Sequence, residues 1–143
     1  MKRIKSIFLR VPSKKGLCFL CAERFQRNLA TFHRNYNKLY RLIFMADCSN
    51  YEEAKEAYEL GFDCLGTTLS GYSDYTKHHQ LPDLLLMELL VQDFPIPIIA
   101  EGGIWMPEEL KRVFDIGVHA AVVGTAITRP MDITKRFIKA VKG

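Results

Sequence analysis

Two acids in this chain close apolar runs. Asp47 follows Leu42-Ile-Phe-Met-Ala46, and Glu101 follows Pro95-Ile-Pro-Ile-Ile-Ala100. A carboxyl group at the end of a buried strand can move a proton or orient a hydroxyl. The competing reading is that each acid caps the helix behind it. Glu101 suits a cap less well, because Gly102-Gly103 follows it directly. A second glycine signal, Gly124-Thr125, comes after the run His119-Ala-Ala-Val-Val123. Glycine lets backbone N–H groups approach an anion, so Gly102, Gly103, Gly124 and Thr125 are candidate phosphate-binding residues. Tight turns are the alternative. Thr67, Thr68, Ser70 and Tyr72 follow another apolar run. Their hydroxyls suit a sugar, or serve the loop's own backbone. Arg129, just before Pro130, is placed either to reach a phosphate or sugar oxygen or to stand at an exposed helix start.

Metal chemistry has little support. Cys18 and Cys21 form a lone CxxC, and His33 is poorly spaced to join them. His78-His79 has no third ligand nearby and is read as solvated. His119 stands at a strand start, away from the strand ends that carry the acids.

These residues must be held by the elements around them. The pattern predicts strands over 42–46, 62–68, 95–100 and 119–123. It predicts helices over 50–60 and 84–91, one opened by Pro107 and stopped by Gly117, and one from Pro130 to about Val141. A weak repeat supports this order. Ala46-Asp47 matches Ala100-Glu101 fifty-four residues on, and Glu52-Glu53 with Gly61 matches Glu108-Glu109 with Gly117 fifty-six on. Strands alternating with helices mean a parallel sheet. Polar residues and glycines at each strand end suit the mouth of a (β/α)₈ barrel, with a doubly wound sheet as the rival. Four such units fill half of a barrel, which takes about 200–250 residues.

The chain has 143 residues, 48% of them hydrophobic, which suits one globular domain. No apolar run approaches the roughly 18 residues that a membrane span needs, and the basic start lacks a signal-peptide core. A cytoplasmic location with free thiols is expected. The net charge of +4 divides unevenly. Residues 1–41 hold eleven Lys or Arg against one acid, and residues 42–143 hold nine against fifteen. Two units are therefore expected: a divergent basic segment, 1–41, and a half-barrel, 42–143. The segment admits three readings: a foreign or out-of-frame stretch joined to a truncated barrel, a solvated arm, or a nucleic-acid-binding arm. The first is preferred.

Four strings, taken together, resemble a known family. They are Met45-Ala-Asp-Cys-Ser49, Gly66-Thr-Thr-Leu-Ser-Gly-Tyr72, Ile99-Ala-Glu-Gly-Gly-Ile104 and Val122-Val-Gly-Thr-Ala-Ile-Thr-Arg-Pro130. In order and spacing they are similar to the N-acetylmannosamine-6-phosphate 2-epimerase family, from about Leu42 to Lys139. The resemblance implies a (β/α)₈ TIM barrel, here about four C-terminal βα units. It implies interconversion of N-acetylmannosamine 6-phosphate and N-acetylglucosamine 6-phosphate, a step in sialic acid breakdown, with no cofactor or metal. It implies Glu101 as the catalytic glutamate, Asp47 as a sugar contact, and Gly102, Gly103, Gly124 and Thr125 as phosphate loops. Gly103 stands where many members carry a larger polar residue, and Thr125 where many carry Gly. The family's catalytic lysine belongs to the first half of its barrel, and Lys2, Lys5, Lys14, Lys15 and Lys38 sit in no matching motif.

Several functions are consistent with this sequence. One is an active epimerase, completed by pairing two half-barrels as a homo-oligomer. Another is a truncated, inactive remnant of it. A third is another sugar-phosphate-binding barrel, and a fourth is a nucleic-acid-binding arm on a structural domain. The epimerase is favoured as family, and inactivity is favoured for the chain alone. The partner expected is a small sugar phosphate, with neither nucleic acid nor membrane.

Overall fold

The computed structural model describes residues 6–10, 17–21 and 43–142. The CxxC side chains and the rest of the basic segment lie outside what is described. From residue 43 the order is β3 (Ile43–Asp47), α1 (Tyr51–Glu59), β4 (Cys64–Gly66), α2 (Leu84–Asp93), β5 (Ile98–Glu101), α3 (Pro107–Asp115), β6 (Ala120–Val122), α4 (Thr125–Thr128) and α5 (Pro130–Lys142). Two earlier strands, β1 (Ser6–Arg10) and β2 (Leu17–Cys21), join the same sheet, in the order β2-β1-β3-β4-β5-β6. The hydrophobic pattern does not announce β1, β2 or the one-turn α4.

β3, β4, β5 and β6 run parallel, with helices between them. This is the strand–helix alternation of a (β/α)₈ barrel. β1 pairs antiparallel with both β2 and β3. The parallel register sets Asp47 beside Gly66 and Glu101 beside Val122. All four parallel strands therefore end on one side of the sheet.

The helices start where their sequences provide a cap. The Asn50 side chain accepts from the Glu53 N–H, and Asp83 accepts from the Leu86 N–H at 3.1 Å. Each satisfies an otherwise orphaned donor of a first turn. At the third helix the Glu109 carboxylate reaches back to the N–H groups of Trp105 and Met106, at 2.7 and 2.9 Å. Gly61 and Gly117 follow their helices with φ of 88° and 99°, a conformation glycine adopts without strain.

One apolar core lies between the sheet and α1 to α3. Leu65, Met87, Leu90 and Val113 are fully buried at its centre. Burying side chains of this size contributes about 1.5–3 kcal/mol each. Ala54 and Ala57 have no exposed surface, so α1 approaches the sheet closely. Tyr51 and Tyr58 close the core's rim against Phe94, with ring centroids 5.6 and 5.2 Å apart. α5 differs from the other long helices in having no buried residue, and Phe137 and Val141 on it are exposed. Among the described residues no helix is long and apolar enough to cross a membrane.

Candidate active site

The strand ends carry an acid pair joined by one hydroxyl. Thr68 Oγ1 lies 2.9 Å from Asp47 Oδ1 and 3.1 Å from Glu101 Oε2. The three residues follow from the register: β3 ends in Asp47, β4 runs into Thr67-Thr68, and β5 ends in Glu101. Gly66 leaves the space they need. A methyl group there would sit 3.2 Å from Asp47 Oδ1 and 3.4 Å from Thr68 Oγ1.

Thr67 points the other way and is buried. Its hydroxyl accepts from the Glu101 N–H at 3.0 Å and donates to the Glu101 carbonyl at 2.9 Å. It therefore holds the backbone of the acid, while Thr68 holds the carboxyl. Gly102 and Gly103 then turn the chain away with φ of 101° and 71°. At Gly103 any side chain would overlap Leu81.

A cleft of about 420 Å³ opens over these residues. Thr68 and Glu101 line it together with Gly102, Gly103, Gly124 and Thr125. Tyr72 and Trp105, both exposed, stand at its rim. Asp47 does not line the cleft; it is 2% exposed and meets it through Thr68. Arg129 lies outside the lining too. Its guanidinium is 3.9 Å from the Asp132 carboxylate on an exposed surface. The cleft thus gathers Thr68, Glu101 and the four phosphate-loop candidates, and leaves Thr67, Asp47 and Arg129 off its wall.

Three supporting groups escape the sequence pattern. Arg136 on α5 donates to the carbonyls of Trp105 at 2.6 Å and Ala126 at 3.3 Å, tying the loop that follows Gly102-Gly103 to the short helix α4 that follows Gly124. Glu53, an acid in a helix first turn where the dipole favours it, is buried. It accepts from the Ser49 N–H at 2.8 Å, from the Ser49 hydroxyl at 2.7 Å, and from the Tyr75 hydroxyl. This anchors the long loop between β4 and α2 to the helix α1. Burial and then that bond to Glu53 raise the Tyr75 hydroxyl above the usual phenol range. His79 is not solvated as expected. Its Nδ1 lies 2.9 Å from Asp83 and 3.1 Å from the Ser70 hydroxyl, in the same loop.

Cys48 and Cys64 are buried free thiols beside the site. Burial and then the neighbouring carboxylates of Glu53 and Asp47 push the Cys48 thiol far up. Burial, then Asp63 and Asp47, push Cys64 up to about 11. Both stay protonated at neutral pH and act as small apolar groups. Among the described residues no three His, Cys, Asp or Glu side chains converge to hold a metal.

The match to known proteins is extensive. Residues 19–143 match the model of the family described as "NanE: Putative N-acetylmannosamine-6-phosphate epimerase". A protein of that name from Clostridioides difficile is 55% identical over 107 residues, covering 75% of this chain and 48% of the relative. One from Caldanaerobacter subterraneus is 51% identical over 102 residues, covering 71% of this chain and 43% of the relative. The solved structure of the N-acetylmannosamine-6-phosphate 2-epimerase from Clostridium perfringens superposes with a TM-score of 0.64 at 55% identity, over 67% of this chain and 42% of that one. A thiamine phosphate pyrophosphorylase from Pyrococcus furiosus superposes with a TM-score of 0.56 at 25% identity. The chain spans less than half the length of the curated relatives named here. By the match of its residues 19–143, this chain belongs to the NanE family of N-acetylmannosamine-6-phosphate epimerases.

Proposed function

We propose that this chain supplies the acid-bearing, phosphate-gripping half of a site that interconverts N-acetylmannosamine 6-phosphate and N-acetylglucosamine 6-phosphate. The observation that carries this reading is the placement of Glu101 in one cleft with Gly102, Gly103, Gly124 and Thr125. In the open-chain sugar the C2 proton is acidic because the C1 carbonyl next to it can hold the resulting charge. Glu101 takes that proton, and the electron pair of the C–H bond moves onto the C1 oxygen as an enolate. Return of a proton to the opposite face inverts C2. The glycine loops hold the 6-phosphate through backbone N–H groups, with Arg129 available to the sugar phosphate from outside the wall. No step in this chemistry changes an oxidation state, so the reading needs no redox cofactor.

Inversion needs proton handling on two faces. Glu101 serves one. The resemblance assigns the other to a lysine, and among the described residues no lysine lines the cleft. On this reading residues 42–143 are the C-terminal half of the barrel, and β1 pairs with its edge strand β3.

The test is incubation of the purified chain with N-acetylmannosamine 6-phosphate in D₂O, followed by proton NMR. Deuterium at C2 of the N-acetylmannosamine 6-phosphate itself is the expected result, since one base exchanges that proton, while appearance of the epimer needs the second proton-handling group. The single tryptophan, Trp105, stands at the cleft rim and gives a binding signal in the same sample. A fluorescence change without deuterium uptake would show binding without turnover. The absence of both signals would overturn the reading.

A further inference from the structure

The loop between β4 and α2 buries its small hydroxyls and holds out one phenol. Ser70, Ser73 and Thr76 are buried, while Tyr72 in their midst is 60% exposed. The buried side chains fix the backbone on both sides of it. The Ser70 hydroxyl donates to Asp83 and lies 3.1 Å from His79 Nδ1. Thr76 Oγ1 accepts from the Gly71 N–H at 3.1 Å and meets the Ser73 hydroxyl. The Tyr72 N–H donates to the Leu69 carbonyl at 3.1 Å, closing a turn whose two ends, Leu69 and Tyr72, both line the cleft. Among the described residues the Tyr72 hydroxyl has no hydrogen-bond partner. A phenol held in this way offers a ligand both an apolar face and a polar tip.

Its place along the cleft selects which part of the ligand it meets. A methyl group built on Gly102 would lie 3.4 Å from the Tyr72 ring, so the phenol rests beside the residue that follows Glu101. The opposite wall belongs to β6 and α4. Val122, Gly124, Thr125 and Ala126 line it, and Arg136 ties the Trp105 carbonyl to that of Ala126 on the same side. With β5 between β4 and β6, the cleft runs from Tyr72, past Glu101, to the Gly124 loop. A sugar whose 6-phosphate sits in the glycine loops and whose C2 faces Glu101 carries its C2 substituent toward Tyr72. The methyl of a trans acetamide lies about 3.8 Å from the carbon that bears the nitrogen, as adjacent Cα atoms do across a trans peptide. That reach takes it past the acid to the neighbouring ring.

We propose that Tyr72 is a specificity-determining residue that recognises the acetamido group of the sugar. The proposal rests on the epimerase reading for the direction in which the ligand lies. The flat amide and its methyl cover the phenol ring, and the hydroxyl donates to the acetyl carbonyl. A C2 hydroxyl in place of the acetamide would leave the ring wet and the phenol without that acceptor, so the site favours N-acetyl sugars over plain hexose phosphates.

The test compares two ligands that differ only at C2, N-acetylmannosamine 6-phosphate and mannose 6-phosphate, by titration of Trp105 fluorescence. The unaltered chain should bind the N-acetyl sugar more tightly. Tyr72→Ala should weaken that sugar about tenfold, the worth of a covered methyl and a hydrogen bond together, and leave mannose 6-phosphate within about twofold. Tyr72→Phe keeps the ring and should lose a smaller share. Because the side chain is exposed, neither change should disturb the core, and a backbone amide spectrum of each variant checks the fold. As a second measurement, the acetyl methyl should show nuclear Overhauser contacts to tyrosine ring protons in the unaltered chain, and these should vanish in Tyr72→Ala. Equal effects of Tyr72→Ala on the two ligands, or the lack of such contacts, would overturn the proposal and leave the epimerase reading standing. Acetyl-selective weakening without deuterium exchange at C2 would uphold the proposal and count against the proton step alone. Binding of neither ligand by the unaltered chain would overturn both.

Discussion

The hydroxyl of Thr67 brackets the peptide of Glu101, accepting from its N–H at 3.0 Å and donating to its carbonyl at 2.9 Å. Removing that hydroxyl strands two backbone polar groups at the end of β5. Thr67→Val should therefore destabilise the chain by about 1–3 kcal/mol, and Thr67→Ser should recover most of the loss. Urea unfolding followed by circular dichroism measures both. Equal stability of Thr67→Val and the unaltered chain would refute the role.

The two glycine loops should respond differently to a methyl group. At Gly103 φ is 71° and Leu81 occupies the space, so Gly103→Ala should cost about 1–3 kcal/mol of stability. At Gly124 nothing lies within 4 Å. Gly124→Ala should leave stability within about 0.5 kcal/mol and weaken binding of N-acetylmannosamine 6-phosphate, read by Trp105 fluorescence. Unchanged affinity would remove Gly124 from the phosphate site.

Glu53 is a buried carboxylate with three donors around it. Glu53→Gln keeps the size but turns an N–H₂ toward a donor. A loss of about 1–3 kcal/mol is expected, with Tyr75→Phe costing less because it leaves the two Ser49 bonds in place. Limited proteolysis should show faster cutting in the loop between β4 and α2 in both variants. An uncut loop in Glu53→Gln would mean that the anchor lies elsewhere.

Alkaline conditions should weaken the fold through Cys64. Its thiol ionises near the usual 9.0 when unfolded and near 11 when folded. Between those values the folded chain binds more protons than the unfolded one, so stability falls as pH rises. The midpoint of urea unfolding should drop from pH 8.5 to 10.5, and Cys64→Ala should flatten the slope. Cys48, Tyr51 and Tyr75 are raised as well and push in the same direction, so comparison with the variant isolates the Cys64 thiol. An identical slope in the variant would exclude it.

Arg136 bonds the carbonyls of Trp105, just after Gly102-Gly103, and Ala126, just after Gly124, from one guanidinium. Lysine cannot span the two as a planar fork does. Arg136→Lys should shift the emission of Trp105, whose own carbonyl is one of the two acceptors, and should loosen ligand binding several-fold. An unshifted spectrum with unchanged affinity would confine Arg136 to the surface.

The strand-end acids were legible in the sequence because buried strands are short apolar runs, and a charged residue marks where such a run stops. The helix starts were legible for the same kind of reason: Asn50, Asp83 and Pro107 have one preferred place in a helix. The split of labour between Thr67 and Thr68 was not legible. Neighbouring residues leave a strand on opposite sides, and only the pairing with β5 decides which one meets the carboxyl. The burial of Glu53 was not legible, because its partner Tyr75 is twenty-two residues away. His79 reads as solvated in the sequence because its partners, Ser70 nine residues before and Asp83 four residues after, meet it only once the loop is folded. Arg136 belongs to a periodic surface helix and differs from its neighbours only in what it reaches. β1 and β2 lie in a segment whose apolar stretches are interrupted by bases.

One strand, β4, separates the two that end in Asp47 and Glu101. Adjacent strands stand about 4.8 Å apart, so the backbones bearing the acids are gauged at roughly 10 Å, in increments that no single substitution can alter. Fine adjustment is left to side-chain length alone. A short acid on one strand, a longer one on the other and a threonine at the midpoint divide that fixed gap among them. Exchanging Asp for Glu, though it preserves charge, would therefore misfit the spacing as surely as deleting the acid.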